Sequence, residues 1–229
     1  MLARYPEGDR VRIREHLSVA ANIAVITLVA FVMLRPSGPV GSKVMAWYSA
    51  FAVRRIVAQE WSSIAQTRRI DSTPKAVVMV EFADYECPAC RRQYITLERV
   101  LHDPRMGGVA FRHVPLVTIH PKAEGAARAA ICAEKQGRFP QMHRQLMTTD
   151  AWLADSNWSR EGAAAGVSDS IAFRLCLGSA MTTAALKADI AIATRLNIRG
   201  TPAFVGVDKV NIGGMPDSAY LKFATSLTR

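Results

Sequence analysis

The sequence is short of cysteine, histidine and negative charge. Four cysteines and five histidines stand among 229 residues, and 19 Asp and Glu face 29 Lys and Arg, for a formal net charge of +10. The basic residues are scattered, and no Arg-rich run is interleaved with aromatics. This argues against a nucleic-acid surface; a basic exterior beside an anionic membrane accounts for the charge. No internal repeat is visible, so the chain is not a repeat array. With 50% hydrophobic residues it holds enough apolar material for one sizeable core plus extra segments.

Charge is missing altogether from residues 17–34, "LSVAANIAVITLVAFVML". As a helix this run rises about 27 Å, near the hydrocarbon thickness of a bilayer. Arg10, Arg12 and Arg14 precede it, whereas Arg35 and Lys43 follow more thinly. That asymmetry places residues 1–16 in the cytoplasm and the rest outside, with a single pass. The run is longer than the core of a signal peptide, and no small-x-small site follows closely, so an uncleaved anchor is expected.

Residues 35–73 form a linker and an amphipathic helix. Arg35–Ser42 is rich in Pro and Gly. Residues 43–69 look helical, with Val53, Val57, Trp61 and Ile64 on one stripe. Such a stripe packs on the domain that follows, or it lies on a surface or joins copies of the chain as a homo-oligomer. Beyond it, residues 76–82 read as a buried strand, Pro88–Leu101 as a helix and 107–116 as a second strand. Ile119–Gly137 is an Ala-rich helix, and more helices follow to Leu196. The loop-to-strand stretch 197–207, a short strand within 209–216 and a helix over 217–227 close the chain.

Cys87 and Cys90 stand in "VEFADYECPACRRQY", residues 80–94, between the first strand and its helix. Positions i and i+3 share one helix face, within reach of disulfide geometry. At the cap, free N–H groups and the positive end of the helix dipole stabilise a Cys87 thiolate. Cys90, one turn inside, is expected to be more buried and to act as the resolving thiol. A zinc site needs two further ligands. Cys132 and Cys176 are isolated, His102 belongs to a helix end and His113 to a strand, so no metal is expected. A C-x-x-C after a buried strand and opening a helix is the setting of a redox dithiol.

Several separated motifs, in order, carry a family resemblance: "VVMVEFADYECPACRR", "HPKAEGAARAAICAEKQGRFPQMHRQL", "FRLCLGS" and "RGTPAFVGV". Over residues 74–229 the chain resembles the DsbA-like thiol:disulfide oxidoreductases. The resemblance implies an α/β thioredoxin fold with an inserted helical domain, about 118–196, here preceded by an N-terminal transmembrane helix. It places the catalytic pair on Cys87 and Cys90 and a cis-proline on Pro202, preceded by Thr201, whose backbone pairs with an extended client segment. It gives Glu81 a part in proton transfer with the buried cysteine. It also implies a structural disulfide between Cys132 and Cys176; free buried thiols are the alternative.

The function implied is disulfide formation in extracytoplasmic, cysteine-containing client proteins. A membrane redox partner linked to quinone would re-oxidise the pair, and no cofactor is required. The dipeptide Pro88-Ala89 lacks the histidine of the strongest oxidases, which implies a less oxidising couple. An isomerase or reductase kept reduced by a membrane donor is the near alternative. A thiol-dependent chaperone or a metal-binding module is the distant one.

Overall fold

The computed structural model describes residues 22–71 and 74–224. The expected cytoplasmic tail, the first five residues of the expected span and the end of the closing helix lie outside them. The chain divides into two compact units, Met1–Ala52 and Val53–Arg229.

In the first unit, residues 22–34 are helical and are followed by a turn over 35–38. Their apolar side chains are exposed, Ile23, Ile26, Leu28 and Phe31 among them. The run Asn22–Ala65 is long and apolar enough to cross a membrane. Helix α1, Pro39–Ala65, starts inside the Pro/Gly stretch read as linker. Proline suits the first position of a helix, where its missing N–H has no partner to lose.

In the second unit, α1 ends at Ala65 rather than continuing to Arg69. Arg68–Ile70 are recruited to the sheet: Ile70 N donates to Val109 O, Phe111 N donates to Arg68 O, and Arg69 bridges Ala110. The four strands are β1 (Val77–Ala83), β2 (Gly108–His113), β3 (Ala203–Val205) and β4 (Val210–Ile212), in the order β2-β1-β3-β4. β1 pairs parallel with β2 and antiparallel with β3, and β3 pairs antiparallel with β4. β1 is buried almost throughout, as suits a central strand covered on both faces.

Alternation along β1 separates two cores. Val80 and Phe82 face Val57 and Ile64 of α1 and Ala193 and Leu196 of the last inserted helix. The stripe on α1 therefore packs on the domain, and the compact unit begins at Val53 instead of near residue 74. On the other face, Met79, Phe111 and Phe204 meet Cys90 and Leu97 of α2 (Pro88–Leu101) and Tyr220 of the closing helix α9 (Asp217–Ala224).

Six helices lie between β2 and β3: α3 (Ala123–Glu134), α4 (Phe139–Thr148), α5 (Ala151–Asp155), α6 (Trp158–Ala164), α7 (Ser170–Leu177) and α8 (Ala180–Arg195). α3 starts four residues later than its composition suggests, because residues 116–120 form a turn closed by His120 N to Leu116 O. It is the central helix of the insertion, and its small residues admit close neighbours. A Cβ on Gly125 would come within 2.6 Å of the Trp158 ring.

Cys132 on α3 and Cys176 on α7 form a disulfide, with Cα atoms 5.7 Å apart and a sequence separation of 44. Closing such a loop removes denatured-state entropy worth about 4 kcal/mol. The double variant Cys132→Ser/Cys176→Ser is expected to lose stability of this order in urea denaturation, with the Cys87 pair still reactive. Unchanged stability would show that the cross-link constrains nothing.

A buried ion cluster joins the insertion to the sheet. Asp189 of α8 accepts from Arg112 of β2 at 2.8 Å and from Arg68 at 2.5 Å, and Arg68 also pairs with Glu134 of α3 at 2.9 Å. Arg112 further donates to the carbonyls of Ile64 and Ser63, at the end of α1. These hydrogen bonds satisfy charges that would otherwise be costly to bury.

Candidate active site

Three segments that are distant in sequence build the site. Cys87 caps α2 with an extended backbone, and Pro88 follows at the first helical turn. Arg91 N donates to Cys87 O at 3.1 Å, which starts the helix. Cys87 Sγ lies 3.5 Å from the backbone oxygen of Thr201. The Thr201–Pro202 peptide is cis, and Gly213 N of the β4 end donates to Pro202 O. The two residue groups expected from sequence, Cys87/Cys90 and Thr201/Pro202, are thus brought together.

Both cysteines are free thiols in this structure, and they differ electrostatically. The hydrogen bond from the Cys90 thiol lowers the Cys87 pKa to about 5, with smaller help from Thr201 and from the backbone at Cys90 and Ala89, against the opposing effect of burial. Cys90 is fully buried, and burial pushes its own pKa far up. One sulfur is thus a stable thiolate at neutral pH and the other a thiol. That asymmetry separates an attacked, good-leaving sulfur from a resolving one.

Glu81 lies inside β1, on the face that carries Cys90's helix, and is completely buried. Neither carboxyl oxygen has a hydrogen-bond partner, and burial raises its pKa to about 8. It is a protonated acid at neutral pH, which an exposed strand-end carboxylate would not be.

The neighbouring acids have structural work. Asp84 accepts from Glu86 N at 2.7 Å and Leu116 N at 2.8 Å, and it pairs with His120 Nδ1 at 2.8 Å. Glu86 accepts from Lys122 N at 2.6 Å. Together they fasten the β2–α3 loop to the residues just before Cys87. Sequence reasoning missed this role, although two acids flanking Tyr85 before a helix start were the available signal.

Among the described residues, no group of three or more His, Cys, Asp or Glu is placed to hold a metal ion. His113 and His143 are buried in an aromatic cluster with Tyr85, Phe111 and Phe139. Burial depresses both imidazoles, that of His143 to about 3, so they stay neutral.

A family model described as thioredoxin matches residues 57–222. Among curated proteins, the Na(+)/H(+) antiporter NhaA 3 of Salinispora tropica is 32% identical over 128 residues, which cover 56% of this chain and 20% of that protein. NhaA 1 of Mycolicibacterium gilvum is 38% identical over 91 residues, covering 39% of this chain and 15% of that protein. The chain thus spans a fifth or less of the length of these curated relatives.

Among solved structures, a linker-deletion mutant of Proteus mirabilis ScsC superimposes with a TM-score of 0.67 at 19% identity, covering 100% of this chain and 99% of its own. The thiol-disulfide exchange protein α-DsbA2 of Wolbachia pipientis gives 0.67 at 16% identity, covering 78% and 97%. A thioredoxin-like oxidoreductase of Silicibacter pomeroyi gives 0.58 at 28% identity, covering 66% and 85%. The site is an asymmetric dithiol at a helix start, facing a cis-proline turn. The chain belongs to the thioredoxin family, in the form with an inserted helical domain that it shares with DsbA- and ScsC-type proteins.

Proposed function

We propose that the protein is an oxidase that introduces disulfides into cysteine-containing client proteins outside the cytoplasm, held to the membrane by its N-terminal helix. The observation that carries this reading is the unequal pair: a Cys87 thiolate beside a buried Cys90 thiol.

In the oxidised protein a client thiolate attacks Cys87 Sγ. The Cys87–Cys90 bond breaks, and Cys90 leaves with the bonding electron pair. A buried thiolate is unfavourable at Cys90, so it takes up a proton, a role this reading assigns to Glu81, the buried acid of β1. A second client thiolate then attacks the client sulfur of the mixed disulfide. Cys87 leaves readily because its thiolate is stable. The client gains one disulfide and the protein ends with two reduced sulfurs, so electrons balance. The Thr201 backbone, beside Cys87, is placed to pair with an extended client segment. A membrane partner that accepts two electrons would restore the pair.

Stabilising the thiolate favours the reduced protein and makes the couple oxidising. Equilibration with glutathione buffers is expected to give a potential above that of thioredoxin, about −270 mV. With Ala89 in place of a donor side chain, it should fall short of the strongest oxidants, near about −120 mV. A thioredoxin-like value would instead favour a reductase or isomerase.

A further inference from the structure

Gln93 stands on α2 one turn beyond Cys90, in a stripe of buried residues that also holds Cys90, Tyr94, Leu97 and Val100. A buried amide is costly unless its polar atoms are paired. Both ends of this one are paired, and on a single residue. Nε2 donates to Met215 O at 2.8 Å, and Oε1 accepts from Met215 N at 2.9 Å. The side chain thus treats Met215 as one strand residue treats its neighbour across a ladder.

Met215 lies in the link 213–216 between β4 and α9. Two glycines make the approach possible. Gly213 has φ 95°, in the region that favours glycine. A Cβ on Gly214 would sit 2.5 Å from Gln93 Oε1. Gly213 N donates to Pro202 O at 2.7 Å, which extends the β3–β4 pairing one step beyond Ala203 and Ile212. Asn211 Nδ2 donates to Gly213 O at 2.9 Å and braces the same bend.

These bonds close a loop around the site. The α2 segment reaches Thr201 by two routes. One is direct, where Cys87 Sγ lies 3.5 Å from Thr201 O. The other runs behind the turn, through Gln93, Met215, Gly213 and Pro202. The second route fixes where the Thr201 backbone stands relative to the sulfur. A client segment that pairs with Thr201 needs that spacing, because hydrogen bonds weaken steeply with poor geometry.

We propose that Gln93 is a positioning residue for client binding. Its amide holds the 213–215 link, and through it the Thr201–Pro202 turn, at the spacing from Cys87 that lets a client backbone pair while its sulfur reacts. The inference rests on the client-pairing role of Thr201. Gln93 acts on the client through Thr201 and not on the sulfurs. A dithiol that has no peptide backbone therefore does not need it.

The test compares two dithiols on the full chain carrying Gln93→Met, which keeps the side-chain length and removes both hydrogen bonds. Reduction of the Cys87–Cys90 disulfide by excess dithiol peptide is followed by stopped flow at increasing peptide concentration. Reduction by dithiothreitol, which has no backbone, is measured beside it. The half-saturating peptide concentration is expected to rise about tenfold, or about 1.4 kcal/mol of binding, with the maximal rate within about twofold of the parent. The dithiothreitol rate should also stay within about twofold, which general damage around Cys90 would not allow. Gly214→Ala is the second variant, because its methyl displaces the Gln93 amide without removing it. It should show the same split, and it carries the test alone if Gln93→Met does not fold. Unchanged peptide saturation in a folded variant overturns the positioning role, and so do equal losses with both dithiols. A parent that reacts no faster with the peptide than with dithiothreitol would instead remove the underlying reading of Thr201.

Discussion

Cys87→Ser is expected to lower thiol–disulfide exchange by at least about three orders of magnitude, because the residue is both the attacked and the leaving sulfur. With a pKa of about 5, Cys87 is almost wholly thiolate at pH 7, whereas an ordinary cysteine near pKa 8.5 is only a few per cent ionised. Its alkylation by iodoacetamide should therefore titrate with a midpoint near pH 5. Cys90 should stay unreactive in the folded protein, since it is both protonated and inaccessible. Removing Cys90 has a different effect. In Cys90→Ala the thiolate still attacks a client disulfide but nothing resolves the product, so a mixed disulfide through Cys87 should accumulate. Full exchange activity in Cys87→Ser would place the chemistry elsewhere.

The second large effect concerns Glu81. Its folded pKa of about 8 stands above the unfolded value of 4.5. The unfolded chain releases this proton as pH rises past 4.5, and the folded protein keeps it until about 8. The folded state thus binds more protons across that window, and stability falls as pH rises through it. The whole penalty is about 5 kcal/mol when the window has been crossed. Glu81→Gln keeps the shape and cannot ionise.

Three other groups act across part of this range. His113 and His143 are held neutral by burial, so acid below pH 6.5 costs stability in parent and variant alike. Cys87 gains stability as pH rises, but only in the reduced form. Comparing the oxidised proteins therefore isolates Glu81. In urea denaturation the stability gap should widen in favour of Glu81→Gln by about 4 kcal/mol between pH 4.5 and 8.5. Parallel pH profiles would mean that Glu81 ionises freely in the folded protein. The variant should also exchange disulfides more slowly, which identifies the cost in stability as one borne for function.

Local features of the sequence were the legible ones. The all-apolar β1, the cap at Cys87 with Pro88 behind it, and the helix boundaries over Ser170–Leu177 and Ala180–Arg195 follow from patterns within a few residues. The Cys132–Cys176 bond and the Thr201–Pro202 turn came through family resemblance, because residues 44 positions apart do not disclose their pairing.

What stayed hidden depends on distant partners. Nothing local in the sequence marks Arg112 and Asp189 as partners, yet they are buried against each other across 77 positions. Arg68 and Arg69 read as helix but take a place beside β2. The stripe Val53–Ile64 was visible, while its partner was not, so the domain's start was set too late.

The central claim is that Cys87 and Cys90 pass a disulfide to a client. The most direct test mixes the oxidised full chain with an equimolar reduced peptide carrying two cysteines and follows both partners by alkylation and mass spectrometry. The account predicts one disulfide gained by the peptide for each Cys87–Cys90 bond lost, while Cys132–Cys176 stays intact. Peptide that remains reduced beside an unchanged Cys87–Cys90 bond would contradict it.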